Sequence, residues 1–271
     1  MTVAPGRLTA ENADLHLATL EEARHNLLVS LLLAARNDPA KPLDVWSFPE
    51  PGSCAAQAPG GPVILGDLAP EQCTAVAESC ADRAYSGVGG PEFTADWFVA
   101  SARAQDHDFD DPMPQRIHAL SEPPRYPGTP GAARPVGEDD IPLAADWMLA
   151  FLAEALPHEK TPPREALERR LCDGRTFLWV VDQRPVAMAA ITRQLARAAA
   201  ISHVYTPPAE RGRGYGGSVT AAVVDAIRAS GRATACLYTD LRNPASNRCY
   251  ARIGFQPVCD SLYFARRTND R

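Results

Sequence analysis

Between "AAISHVYT" and the amphipathic stretch "SVTAAVVDAIRA" the chain carries "RGRGYGG", Arg211–Gly217. Few features limit a fold more. A strand that leaves through a glycine-rich turn and opens a helix builds an anion site. The amides of the first helical turn have no partners inside the helix and point outward, and the helix dipole adds a favourable potential. Gly212, Gly214, Gly216 and Gly217 permit positive φ and let the backbone come close to a phosphate. Arg211 and Arg213 stand where they can add charge at the rim. The pattern predicts a bound pyrophosphate.

Two templates use such a loop. Gly212, Gly214 and Gly217 spell G-x-G-x-x-G, and Asp240 follows about 20 residues later, after a strand, as in a dinucleotide-binding fold. Three observations count against that NAD(P) template. The chain after Gly217 suffices only for two strands and one short helix, whereas the dinucleotide fold needs several more crossovers. "TPPAER" separates the strand from the glycines, where that fold turns directly out of its strand. The template also gives no reason for the next segment, "LYTDLRNPASNRCYARIGF".

That segment completes a different pattern. Arg211, Gly214 and Gly216 meet the motif Q/R-x-x-G-x-G/A. Asn243, a short helix bearing Tyr250, and then Gly254–Phe255 follow in order. With both parts present, the sequence resembles the GCN5-related N-acetyltransferase superfamily over about residues 133–265. The resemblance implies an α/β fold with a mixed, splayed β-sheet flanked by helices, and acetyl-CoA lying in the splay. Backbone groups of Val204, Tyr205 and Thr206 would then bond the amide-bearing pantetheine arm, and a peptide N–H there can polarise the thioester carbonyl. The loop Arg211–Gly217, Tyr215 included, would hold the pyrophosphate. Asn243 and Asn247 are placed to bond the arm or the nucleotide, although capping and turn chemistry explain them equally well. Tyr250 would protonate the leaving thiolate, a task suited to a phenol that is protonated near neutral pH. Packing between helix and sheet is the competing role for it.

The general base is open. Glu154 and Asp240 are candidates, each also explicable as a surface or hydrogen-bonding carboxylate, and deprotonation through water needs no single base. His203 neighbours the cofactor strand, but strand alternation can turn it away. Trp147 and Phe151 share the helix of Glu154 and could wall the acceptor cleft, as well as serve the core.

The rest of the chain sets the organisation. Spacing predicts helices at about Asp14–Arg36, in "PEQCTAVAESCADRA" and in "ADWFVASARA", with strands in "DVWSF", "PVILGDL" and "QRIHAL". "PPRYPGTPGAARP" is too rich in proline and glycine for regular structure and reads as a linker. The second half reads α-α-β-β-β-α-β-α-β, an α/β layer arrangement. The expected division is a domain over residues 1–122, a linker over 123–135 and a catalytic domain over 136–271. The resemblance implies that the first domain is a degenerate copy of the second, giving two such folds in tandem.

Composition narrows the partners. A net charge of −6 argues against nucleic acid and anionic membranes, which call for a basic surface. Leu27–Ala35 is far shorter than a membrane span, and the start carries no charged-then-apolar leader pattern. A cytoplasmic protein, monomer or homodimer, is expected. Seven cysteines and the scattered histidines show no metal-ligand spacing, so no metal is expected. Together these point to an acetyl-CoA-dependent N-acetyltransferase. A primary amine of a small molecule (amino sugar, amino acid or amine-bearing antibiotic) would attack the thioester directly in a ternary complex. A coenzyme A-binding module without turnover is the alternative.

Overall fold

A computed structural model of the chain describes residues 6–7, 10–38, 40–156 and 161–267. They fall into two compact units. The first takes Met1–Ile117, Thr239–Arg242 and Val258–Arg271; the second takes His118–Tyr238 and Asn243–Pro257.

The first unit contains β1 (Gly6–Arg7), α1 (Ala10–Thr19), α2 (Asn26–Asn37), β2 (Asp44–Ser47), β3 (Cys54–Gln57), β4 (Val63–Leu65), α3 (Pro70–Ser79), β5 (Gly87–Pro91) and α4 (Glu92–Arg103). The start of β6 (Met113–Leu120) also lies here. The single helical stretch expected over Asp14–Arg36 is two helices. Glu21 breaks it: its carboxylate accepts the N–H groups of Ala23 and Arg24 at 3.0 and 2.8 Å, a local alternative to helix continuation. Strands β1 to β4 pair antiparallel in sequence order, and β5 joins β4 in parallel. Strand β5, "GVGGP", consists largely of glycine because the backbone approach demands it. A Cβ on Gly90 would stand 2.8 Å from Leu65 Cβ. Trp46 and Phe98, both fully buried, centre the core.

The second unit contains β7 (Ala132–Pro135), α5 (Ile141–Ala155), α6 (Arg164–Leu171), β8 (Thr176–Val181), β9 (Arg184–Gln194), β10 (Ala198–Tyr205), α7 (Tyr215–Ala229), β11 (Thr234–Asp240) and α8 (Pro244–Ile253). β7 occupies the last part of the expected linker and pairs antiparallel with β8. β8 and β9 form a hairpin through Asp182 and Gln183, both at positive φ, as a two-residue turn requires. β9 pairs antiparallel with β10, and α7 then crosses over so that β11 lies parallel to β10. The mixed sheet is the one expected, and it excludes the parallel dinucleotide fold. One apolar layer packs α7 and α8 on the sheet through Val219, Val223, Ile227, Ile253 and Phe255. Another packs α5 and α6 through Ala144, Met148, Leu167 and Leu171.

The two series run in the same order, β-α-α-β-β-β-α-β-α-β, if β12 (Gln256–Ala265) closes the second. That last strand corrects the expected boundary. From Val258 onward the chain belongs to the first unit, where Ser261–Ala265 pair antiparallel with β5. The reason is burial: Leu262 and Phe264 enter the core around Trp46 and Phe98. Among the described residues no helix is long and apolar enough to cross a membrane.

Candidate active site

The site is built where β10 and β11 part. Their parallel register runs from Ala198↔Thr234 to Ile201↔Leu237, and β10 continues to Tyr205. Its pairing with β9 shifts between Ser202 and Tyr205, and His203 within that interval has φ +52. This is a β-bulge, a device that redirects side chains and backbone groups. Tyr205 packs into the layer of α5 and α6, whereas Val204 packs against that of α7. His203 stacks on Phe151 of α5, ring centroids 5.2 Å apart. The bulge therefore turns His203 to the α5 side of the sheet, which strict alternation does not foresee.

After β10, Pro207 and Pro208 stop the strand, and a 3-10 turn at Pro208–Glu210 leads to the glycine loop. Gly214 caps α7 with φ +86. The first helical amide to bond back is that of Ser218, to the Gly214 carbonyl at 3.1 Å. The N–H groups of Tyr215, Gly216 and Gly217 thus lie in the turn that has no intrahelical acceptors. The preceding segment braces the loop. Thr129 Oγ1 bonds Ser218 Oγ at 2.8 Å, and the Tyr126 hydroxyl donates to Asp225 at 2.6 Å.

Both loop arginines have carboxylate partners. Arg211 Nη2 donates to the two oxygens of Glu154 at 2.9 and 2.8 Å, and its Nε donates to the Thr206 carbonyl at 2.9 Å. The guanidinium also lies over the Tyr205 ring, 5.8 Å from its centroid. Arg213 Nη1 donates to Glu210 at 3.0 Å. The positive character of the loop therefore rests on its amides more than on these side chains.

On the other side of α7, Asn243 caps α8, its side chain accepting the Ser246 N–H at 3.1 Å. Asn247 Nδ2 donates to the Asn243 carbonyl at 2.8 Å. Both asparagines do the capping work that their positions allow. Tyr250, further along α8, is 8% exposed and meets Phe255 edge-on at 5.9 Å. Burial pushes its phenol well above the ordinary value, so it is held protonated. Its hydroxyl makes no hydrogen bond to a described residue, yet it is not one of the sealed polar atoms. It can therefore donate to a ligand. Asp240 belongs with the first unit and accepts from the Arg242 N–H at 2.8 Å and from its guanidinium at 3.1 and 3.2 Å. Trp147 and Phe151 are half-buried on α5, Trp147 6.2 Å from the Tyr205 ring. No group of three or more metal-ligating side chains occurs among the described residues.

Sequence reasoning gave His203 no settled place, and it passed over Arg170 and Arg193. No motif marks any of the three, and the bulge that sets the side of His203 depends on tertiary pairing.

The family model described as FR47-like protein matches residues 178–264, the stretch from β8 through most of β12. No curated protein matches the chain. A Drosophila protein of known structure aligns over 99% of this chain and 100% of its own, with 13% identity and a TM-score of 0.73. A GCN5-related N-acetyltransferase from Sphaerobacter thermophilus aligns over 97% and 95%, with 15% identity and a TM-score of 0.64. A tandem GNAT protein from the clavulanic acid biosynthesis pathway aligns over 98% of both chains, with 12% identity and a TM-score of 0.53. At such identities these structures speak to the fold.

Proposed function

We propose that this chain is a GCN5-related N-acetyltransferase, as its FR47-like segment at residues 178–264 and its fold support, and that it transfers an acetyl group from acetyl-CoA to a primary amine of a small molecule. One observation carries the reading: a loop whose free amides are set for a diphosphate lies in the same unit as a protonated phenol, Tyr250, whose hydroxyl has no hydrogen-bond partner among the described residues. The residues fit the coenzyme. Amides of Tyr215, Gly216 and Gly217 would hold the pyrophosphate, and the freed edge of β10 at Val204–Thr206 would pair with the pantetheine amides. When bound, the coenzyme supplies the activated acetyl group. The bulged backbone at His203–Val204 would orient the thioester carbonyl through peptide N–H groups. Tyr250 would hand its proton to the departing sulfur.

The first unit supports the idea of a degenerate tandem copy. Its segment between β4 and α3 is "GDLAP", with Pro70 in the first helical turn, where it removes an N–H. Gln72 Oε1 accepts the Ala69 N–H at 2.9 Å. Asp67, paired with Arg24 at 2.7 Å, puts a carboxylate in the turn before α3, which disfavours an anion there.

Calorimetry with coenzyme A and acetyl-CoA tests the binding, and thiol release over a panel of amines tests the turnover. Heat with coenzyme but no turnover from any amine would favour a binding module. No heat would end the reading altogether.

A further inference from the structure

The end of β10 is thinly paired. Its register with β11 stops at Ile201↔Leu237, and past the bulge its register with β9 is Tyr205↔Met188 alone. A strand end with so few ladder bonds frays unless something else orders it. Pro207 sharpens the need. It has no N–H, so the peptide between Thr206 and Pro207 can be anchored only through the Thr206 carbonyl. That carbonyl accepts from Arg211 Nε at 2.9 Å.

Arg211 is itself held from α5. Its Nη2 donates to both oxygens of Glu154, at 2.9 and 2.8 Å, and its guanidinium covers the Tyr205 ring, 5.8 Å from the centroid. Glu154 stands in the last turn of α5, which carries no basic residue. Its charge therefore meets the negative end of the helix dipole, where an anion is disfavoured, and Arg211 offsets that cost. Trp147 and Phe151 precede Glu154 on the same helix face at spacings of four and three. They meet Tyr205 at 6.2 Å and His203 at 5.2 Å between ring centroids. Three residues of one helix face thus fasten the strand end, two by ring contact and one through Arg211. The ion pair adds little to the stability of the fold, because its side chains are 47% and 51% exposed. What it supplies is local order at Val204–Thr206.

We propose that Glu154 is a positioning residue and not the general base: through Arg211 it fixes the Thr206 carbonyl, and with it the strand edge at Val204–Thr206 on which the thioester arm is laid. The proposal rests on the acetyltransferase reading and assigns a task within it. Arg211 then serves the arm, and the diphosphate is left to the amides of Tyr215, Gly216 and Gly217. An edge that is already extended spares the coenzyme the cost of ordering it on binding. Loss of that order shows as weaker binding of the arm, with the diphosphate end unaffected.

The test is calorimetry on the full chain with two probes: acetyl-CoA, and adenosine 3′-phosphate 5′-diphosphate, which has the diphosphate but no arm. Glu154→Gln should raise the Kd of acetyl-CoA about threefold, the scale of an exposed ion pair. Arg211→Gln, which also frees the Thr206 carbonyl, should raise it about 10-fold. The double variant should be no weaker than Arg211→Gln, because Glu154 acts through Arg211. Arg211→Lys keeps the charge but lacks the fork that reaches both partners, so it should match Arg211→Gln. The armless probe should bind all four variants as it binds the wild type, and urea midpoints should hardly move. With an amine that is turned over, Glu154→Gln should keep the wild-type pH–rate profile, acidic limb included. Unaltered acetyl-CoA affinity in the arginine variants, equal losses for the armless probe, additive losses in the double variant, or a missing acidic limb would each overturn the proposal. Failure of the wild-type protein to bind acetyl-CoA would instead overturn the acetyltransferase reading on which it stands.

Discussion

Replacing Gly214 by alanine isolates the geometry on which the anion loop depends. Gly214 caps α7 at φ +86, where an L side chain costs about 1–2 kcal/mol. A Cβ there would also stand 2.9 Å from Thr129 Cγ2. That methyl cannot swing freely, because Thr129 Oγ1 is bonded to Ser218 at 2.8 Å. Relieving such an overlap by local shifts costs about 1–3 kcal/mol. Gly212 is the control: its φ is +78, but a Cβ would meet nothing within 4 Å. Gly212→Ala should lose about 1–2 kcal/mol of stability, and Gly214→Ala about 2–5 kcal/mol. Thr129→Ser removes the methyl and keeps the hydroxyl, so in the Gly214→Ala background it should return the steric part. Urea unfolding of these variants reads the losses, and calorimetry with coenzyme A reads the rest. Where the loop escapes strain by leaving its conformation, each 2 kcal/mol appears as about a 30-fold weaker Kd. Equal losses for the two alanines, or no recovery with Thr129→Ser, would refute the reasoning, since the overlap would then contribute nothing.

Three further outcomes follow from the site. Tyr250→Phe keeps the buried ring and should cut kcat by about 10²–10⁴-fold with acetyl-CoA affinity unaltered; a drop in affinity instead would make Tyr250 a binding residue. His203 has its proton affinity lowered from the ordinary 6.5 to about 4. As pH falls through that window the unfolded chain takes up a proton that the folded chain refuses, so stability present above pH 6.5 declines by roughly 3 kcal/mol. Urea midpoints from pH 7 to 4 should therefore fall less steeply in His203→Gln, and parallel slopes would contradict the assignment. Calorimetry should give one coenzyme per chain, because the Gly66–Pro70 segment of the first unit lacks the free amides of its counterpart; two equivalents would show that both units bind.

The elements written in local chemistry were legible. The prolines after Thr206, the glycines of the loop and Asn243–Pro244 punctuate β10, α7 and α8, and the structure honours each mark. Helix α5 is announced by its apolar spacing. What stayed hidden depends on partners far away in sequence. "GVGGP" carries no strand signal, because its glycines answer to close neighbours on the adjoining strands, Leu65 at Gly90 and Phe264 at Gly87, rather than to β propensity. "CAAQ", fully buried as β3, has only three small residues and a glutamine to show. The final strand gives no local sign of which sheet it joins. In the site, the loop and Tyr250 could be named from spacing. The pairing of Glu154 with Arg211 spans 57 residues, and the bulge at His203 arises from register, so neither could be read along the chain.

The position of β12 has a consequence for biosynthesis. Gly87 pairs with Ala265, so the sheet that the first hundred residues begin is completed by a strand far downstream in the chain. While the ribosome is still extending the chain, that sheet has an unfilled edge beside β5, a period of exposure to wrong partners. Closing so long a loop also slows the final step. Cutting between the two repeats would accordingly leave one fragment short of a strand and the other with a strand to spare, which makes the pair of units a single folding problem.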